Sequence, residues 1–423
     1  MPKGAREVAV AATEKSLRGY RAPLTGRRWS SYFSRTSRAL HCRLAPVFVA
    51  LLLAPAAATA AVLPEERADS MYHSYSGGGV TIDGPSFLVR KNVSESVSVS
   101  ANYYVDMISG ASIDVEATAS PYSEQRDEYS VGADYLVEKT TLSVGYTNSS
   151  ENDYQAETMA FGVSQTFFGD LSTLGLQISY GSDDVYRNGD DNFAAEAQHR
   201  RYTLSWNQIL TQKLIAEVSV ETVADEGFLN NPYRSVRFLD PSSGTGFSYQ
   251  RELYPTTRNS DAVAIRAKYR LPYRAAVQSE YRRYADSWGI ESDNLEFRYT
   301  HPLEEQDQWI LEGKLRFYQQ NGADFYSDLF PYVDATNFRA RDKELSDFNT
   351  IAFGIGVSYV LPERWSLLNR KNSVNLYWDH ILFDYDNFRD VTVHGPNSDI
   401  LPGEEPAYQF GANVIRLFWS VWL

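Results

Sequence analysis

VIRLFWSVWL (Val414–Leu423) closes the chain, and its alternate residues Ile415, Leu417, Trp419, Val421 and Leu423 are all large and apolar. In water an exposed apolar strand recruits other strands, so soluble proteins rarely leave one at an edge. The same ending is safe where its apolar face meets hydrocarbon and both backbone edges are paired, conditions that a closed transmembrane barrel supplies.

The rest of the sequence repeats the pattern. SVSVSANYY places Val97, Val99, Ala101 and Tyr103 on one side, YSVGADYLV places Val131, Ala133, Tyr135 and Val137, and TLSVGYT places Leu142, Val144 and Tyr146. Comparable alternation recurs to the carboxy terminus and predicts about fourteen strands, within a range of about 12–16. The connections alternate in length. Longer ones cover residues 106–127, 148–154, 182–197, 224–259, 286–293, 321–347 and 387–407, and shorter ones lie at Glu138, Gly169, Thr211, Leu271 and Pro302, with a somewhat longer one from Leu361. An all-β, up-and-down antiparallel transmembrane barrel over residues 95–423, with short periplasmic turns and long extracellular loops, is the fold this rule predicts.

The amino terminus and composition set the location and exclude several functions. The run Leu44–Ala61 is apolar, follows Arg35, Arg38 and Arg43, and ends in Ala58, Thr59 and Ala60. That order predicts a secretory signal peptide, with residues 1–60 an amino-terminal extension plus signal and residues 61–94 a periplasmic or lumen-entering lead segment. The triple glycine at Gly77 reads as a flexible lead-in. Cys42, the single cysteine, lies before the apolar run. A processed chain would therefore have no disulfide and no cysteine-held zinc, haem or iron–sulfur group, and no cofactor is expected. Residues 1–60 hold ten of the 40 Lys and Arg but two of the 54 Asp and Glu, which leaves the remainder at −22. Such a charge argues against nucleic acid as a partner.

On the strand faces opposite the apolar ones, charges of both signs interleave: Arg266, Lys268 and Arg270; Arg274, Glu280 and Arg282; Glu296 and Arg298; Glu312, Lys314 and Arg316. Facing lipid, each would cost about 2–4 kcal/mol near the midplane, so these residues are assigned to the lumen. Tyr103, Tyr104, Tyr180, Trp309, Tyr359, Trp365, Trp419 and Trp422 cluster towards strand ends, as interfacial girdles do.

Two early stretches alternate less cleanly. They contain Gly84, Pro85 and Ser86; Asp106, Ser109, Ala111, Ser112 and Asp114; and Ser120, Pro121, Tyr122, Glu124 and Arg126. In these segments the sequence resembles the proteobacterial outer-membrane proteins grouped as domain of unknown function, family 3570. The resemblance covers the chain beyond the signal and implies a barrel in the outer membrane of a Gram-negative cell. It also implies a periplasmic redox or lipoprotein partner, and it implies no activity. Asp106, Asp114, Glu124, Arg126 and Asp127 are either a charge network that folds this loop inward as a plug or a solvated external loop.

No catalytic constellation stands out. His73, His199, His301, His380 and His394 are scattered, without a HExxH pair or a GxSxG turn. His199 or His380 with Asp183, Asp184 or Asp384 is the one acid/base pairing available to a loop-borne surface hydrolase. The acidic run Gly181–Asn192 lacks EF-hand spacing, since Tyr186 falls at a ligand position. The function expected first is a pore or conduit with a charged lumen. A sheath or scaffold around a periplasmic partner is the alternative. Expected contacts are outer-membrane lipid and lipopolysaccharide and, through Ile415 to Leu423, the outer-membrane assembly machinery, although Leu423 stands where that machinery's signal usually has Phe or Trp.

Overall fold

Sixteen antiparallel strands close on themselves in the computed structural model, which describes residues 62–110, 122–303, 308–365, 370–394 and 399–423. In chain order they are β1 (Arg67–Gly77), β2 (Val80–Ser94), β3 (Val97–Gly110), β4 (Tyr122–Val137), β5 (Thr140–Glu151), β6 (Tyr154–Phe167), β7 (Ser172–Tyr186), β8 (Ala194–Thr211) and β9 (Leu214–Gly227). After a separate hairpin, β10 (Ser235–Leu239) and β11 (Phe247–Arg251), follow β12 (Thr257–Arg270), β13 (Ala276–Asp286), β14 (Glu291–Leu303), β15 (Trp309–Gln320), β16 (Phe348–Val360), β17 (Asn372–Arg389) and β18 (Ala407–Trp422). Each barrel strand pairs with its sequence neighbour, β9 with β12 across the hairpin, and β1 with β18.

That last pairing disposes of the apolar edge at the carboxy terminus. Ser74, Tyr72 and Ser70 stand opposite Ile415, Leu417 and Trp419, while Trp378, Leu376 and Val374 of β17 flank the same residues from the other side. Ile415, Leu417 and Trp419 point outwards and are exposed, whereas Val421 is covered and Leu423 lies just past the strand.

Register carries this orientation round the barrel. Val131, Val144, Phe161, Ile265 and Ile355 are 49–60 % exposed and share the outer face. The residues between them form the lumenal face, as the period of two requires.

The strands exceed the predicted fourteen because the lead segment is wall. Residues 67–94 form the hairpin β1–β2, so the barrel begins at Arg67 and not near residue 95. Its alternation is weak for a physical reason: in its loop-side half the lumenal face is itself apolar. Tyr75, Val80 and Ile82 are buried there with Ile108, Ala352, Ile381, Ala412 and Val414, and the contrast that marks a half-buried strand disappears. Gly78 and Gly79, with φ of 57° and 80°, make the two-residue turn between these strands, a conformation that disfavours a Cβ. Gly84 has a different role. Any Cβ there would collide with the Val105 carbonyl oxygen, so glycine permits the close approach of β2 to β3.

Both described ends of the barrel chain, β1 and β18, lie at the end that carries residues 95–96, 138–139, 168–171, 212–213, 271–275 and 361–371, here termed the terminal end. The opposite, loop end carries residues 187–193, 228–256, 321–347 and 390–406. The expected alternation in length holds for these four. The connections at 152–153 and 287–290 are tight turns, because their strands run further than the apolar pattern does.

Candidate lumenal site

Parity places Arg266, Lys268 and Arg270 of β12, Glu280 and Arg282 of β13, Glu296 and Arg298 of β14, and Glu312, Lys314 and Arg316 of β15 on the lumenal face. Arg274 departs from the expectation. It lies in the exposed turn 271–275 with a φ of 68°, outside any strand. The wall residues pair across strands. Arg282 donates to Glu221 at 2.6 Å, Arg266 bridges Glu217 at 3.1 Å and Glu280 at 2.6 Å, and Arg298 bridges Glu296 at 3.0 Å and Glu312 at 3.1 Å.

Two further wall residues continue the belt. Asp379 of β17 takes Lys314 at 2.6 Å and Arg416 of β18 at 2.8 Å. Both were accessible to a parity reading, since they occupy the non-apolar positions of strands recognised from sequence. Gly354 and Gly356 of β16 leave room on the lumenal face beside them: a Cβ at Gly354 would meet the Asp379 carboxylate, and one at Gly356 the Tyr377 ring.

Beyond β18 the belt reaches residues of the amino-terminal motif segments. His73 of β1 stands beside Arg416 in register, and its Nε2 lies 2.8 Å from Asp106 and 3.0 Å from the Tyr104 hydroxyl. The His73 and Tyr104 rings stack at 4.7 Å. Arg126 lies 3.6 Å from Asp106, pairs with Glu128 and donates to Ser149 Oγ at 2.9 Å. Asp106, Glu124 and Arg126 are therefore strand residues of β3 and β4 on the lumenal wall, not a plug loop. Asp127 faces outwards, where it accepts hydrogen bonds from Tyr103 at 2.7 Å and Gln125 at 2.9 Å. Asp114 lies outside the described residues. Tyr104, assigned to a girdle by sequence, faces inwards for the same reason of parity, and His73 went unnoticed because its strand was read as lead segment.

Other connections fold over the loop end. Arg237 of β10 has no exposed surface, and its guanidinium is held by Asp328 and Glu405, residues of the connections 321–347 and 390–406. Arg341 reaches Asp328 at 3.0 Å, and His394 reaches Glu405 at 2.6 Å. Bridges from Phe238 to Phe330 and from Leu253 to Arg339 join the same segments through their backbones. Tyr233 donates to Asp153 in the turn between β5 and β6, so the cap also touches the opposite rim. Below it, Tyr326 packs on the lumenal cluster of Phe348, Tyr385 and Phe388. Sequence reading missed this cap because its ion pairs join residues up to 168 positions apart.

Two clusters bear on chemistry. Glu124, Glu151 and Asp153 bring one carboxylate oxygen each within 4.8 Å of one another, an all-oxygen donor set of the type hard cations take. His199 does meet Asp183, at 3.1 Å from Nε2, but Asp225 lies 2.8 Å from its Nδ1. Two carboxylates thus engage both ring nitrogens, which leaves neither nitrogen free to act on a solute. His380 faces outwards, with Nδ1 2.9 Å from the Asn413 amide oxygen.

One protein family, described as "Protein of unknown function (DUF3570)", matches residues 45–206 and 192–377. The chain belongs to this family. No curated protein is significantly similar to the chain. Among solved structures, a bacterial polysaccharide outer membrane secretin matches with a TM-score of 0.45 and 7 % identity, covering 84 % of this chain and 99 % of that one. The siderophore receptor PirA from Pseudomonas aeruginosa matches with a TM-score of 0.39 and 11 % identity, over 83 % of this chain and 61 % of that one. A Pseudomonas aeruginosa FadL homologue gives 0.38 and 8 %, over 85 % and 91 %.

Proposed function

We propose that this DUF3570 protein spans the outer membrane of a Gram-negative cell and forms a conduit for a polar solute through its charged lumen. One observation carries the reading: a belt of cross-strand ion pairs, from Glu221 and Arg282 round to Asp106 and Arg126, lies on the inner face of a closed barrel whose outer face is apolar. Charges placed there keep the interior wet, and a wet interior in a closed sheet gives a polar path through an apolar solvent. The terminal end then faces the periplasm and the cap faces outwards. Outer-membrane lipid and lipopolysaccharide surround the apolar band, and the alternate residues from Ile415 to Leu423 are the segment the assembly machinery would read.

The cap favours one alternative, a chamber open only to the periplasm that sheathes a redox or lipoprotein partner. Planar-bilayer recording separates the two. Ohmic single-channel steps, increased when Arg237→Ala loosens the cap, are expected for the conduit. Silence in both proteins, with a periplasmic protein recovered from solubilised outer membrane, would replace it by the sheath. A loop-borne hydrolase has no support at His199, whose two nitrogens are both engaged by carboxylates.

A further inference from the structure

Charge compensation along the belt is uneven. Arg266 is shared by Glu217 and Glu280, but the next two lumenal residues of the same strand, Lys268 and Arg270, have no carboxylate of a described residue within ion-pair distance. Their cross-strand neighbours explain why: Ile215 and Gln278 flank Lys268, and Ala276 stands opposite Arg270. Lys213, in the adjoining turn, accepts a backbone hydrogen bond from Arg270 through its carbonyl at 2.8 Å, which puts its backbone beside Arg270 at the same mouth. Lys213, Lys268 and Arg270 are all exposed at the terminal-end mouth. The nearest lumenal carboxylates on these strands, Glu217 and Glu280, are already occupied by Arg266.

We infer that Lys213, Lys268 and Arg270 form an anion-capture site at the terminal-end mouth of the lumen, taking small solutes that carry carboxylate or phosphate groups. This rests in part on the conduit reading, since it supplies the solute class. Lumenal residues two apart on one strand stand about 7 Å from each other, so Arg270, Lys268 and Arg266 form a track of three cations along the wall. An anion meets two charges that no carboxylate of a described residue pairs, and then Arg266, whose guanidinium can exchange a carboxylate partner for the solute. Within a low-dielectric wall, uncompensated charge of one sign concentrates counter-ions at a mouth far more than it would on an open surface. The excess is local. The chain beyond the signal is strongly acidic, and Arg298 and Lys314, further along the belt, each have a carboxylate partner.

Two measurements on purified full-length protein test this. The first is reversal potential in planar bilayers under a potassium chloride gradient; the second is fluorescence anisotropy of a pyrene trisulfonate dye, with citrate and pyrophosphate as competitors. Anion preference and dye binding are expected for the wild type. K268Q/R270Q should weaken both, and K268E/R270E should reverse the sign of selectivity and abolish dye binding. Better competition by citrate than by pyrophosphate would assign carboxylate as the solute group, and the reverse order would assign phosphate. A conducting wild type without anion preference, or one whose selectivity survives K268E/R270E, overturns the capture site and leaves the conduit standing. A silent protein whose dye binding is lost in K268E/R270E overturns the conduit and keeps the site. Silence with no dye binding overturns both.

Discussion

At the scale of single residues, Arg237 is the most consequential side chain outside the barrel wall. Burying a guanidinium is costly unless every donor is satisfied, and here Asp328 and Glu405 satisfy it from two other connections. Arg237→Ala leaves those carboxylates buried without their cation and should cost the cap about 3–5 kcal/mol. Limited proteolysis should then cut within 321–347 and 390–406, while the barrel strands stay protected. Glu405 adds a pH dependence. Burial alone would raise its carboxyl, but hydrogen bonds from Arg237, the backbone and His394 outweigh burial and lower it from 4.5 to about 2. A group lowered on folding stabilises fully above its unfolded value and loses that contribution as pH falls towards the folded one. Protection of the cap from hydrogen exchange should accordingly be flat above pH 4.5 and decline from there towards about 2. Glu405→Gln should be less protected than the wild type at neutral pH and should lack most of that decline.

At the scale of strands, parity decides what a substitution does. Val144 faces outwards and is 49 % exposed, whereas its neighbour Ser143 faces inwards and donates to Asp134 at 2.6 Å. Val144→Arg should destabilise the barrel in lipid by about 2–4 kcal/mol if it lies near the midplane, and Ser143→Arg, beside a carboxylate, should cost much less. Reversible urea unfolding in vesicles measures the difference. The same parity explains what the sequence disclosed. β4, β5 and β15 were legible because one face is apolar and the other polar, and Lys314 or Glu312 could be assigned inwards without coordinates. β1 and β2 were not, because Tyr75, Val80 and Ile82 make the inner face apolar too, so a hairpin of the wall read as a lead segment. The reading of Asp106, Glu124 and Arg126 as loop residues failed similarly. Asp106 and Arg126 are polar because they pair across β3 and β4 inside the lumen, and polarity alone does not separate a lumenal strand from a loop.

At the scale of the molecule, the barrel is a sheet turned inside out relative to a soluble sandwich: its continuous apolar band is outside, and its ion-pair belt is inside. Closure through β1 and β18 removes the last free edge, and the cap covers one mouth while the other holds Lys268 and Arg270, which pair with no carboxylate among the described residues. None of the cap was legible in advance, since partners such as Arg237 and Glu405 meet only after the barrel brings distant connections together. The most direct test exploits the single cysteine. In a Cys42→Ser background, cysteines placed one at a time from Ala412 to Trp419 and reconstituted in vesicles should alternate strictly: positions 413, 415, 417 and 419 quenched from within the bilayer, positions 412, 414, 416 and 418 not. Aqueous thiol reagents should reach Cys at 416 and 418 but not at 415 or 417. Uniform aqueous reactivity along the segment, with no period of two in quenching, would contradict a lipid-facing outer surface and the account built on it.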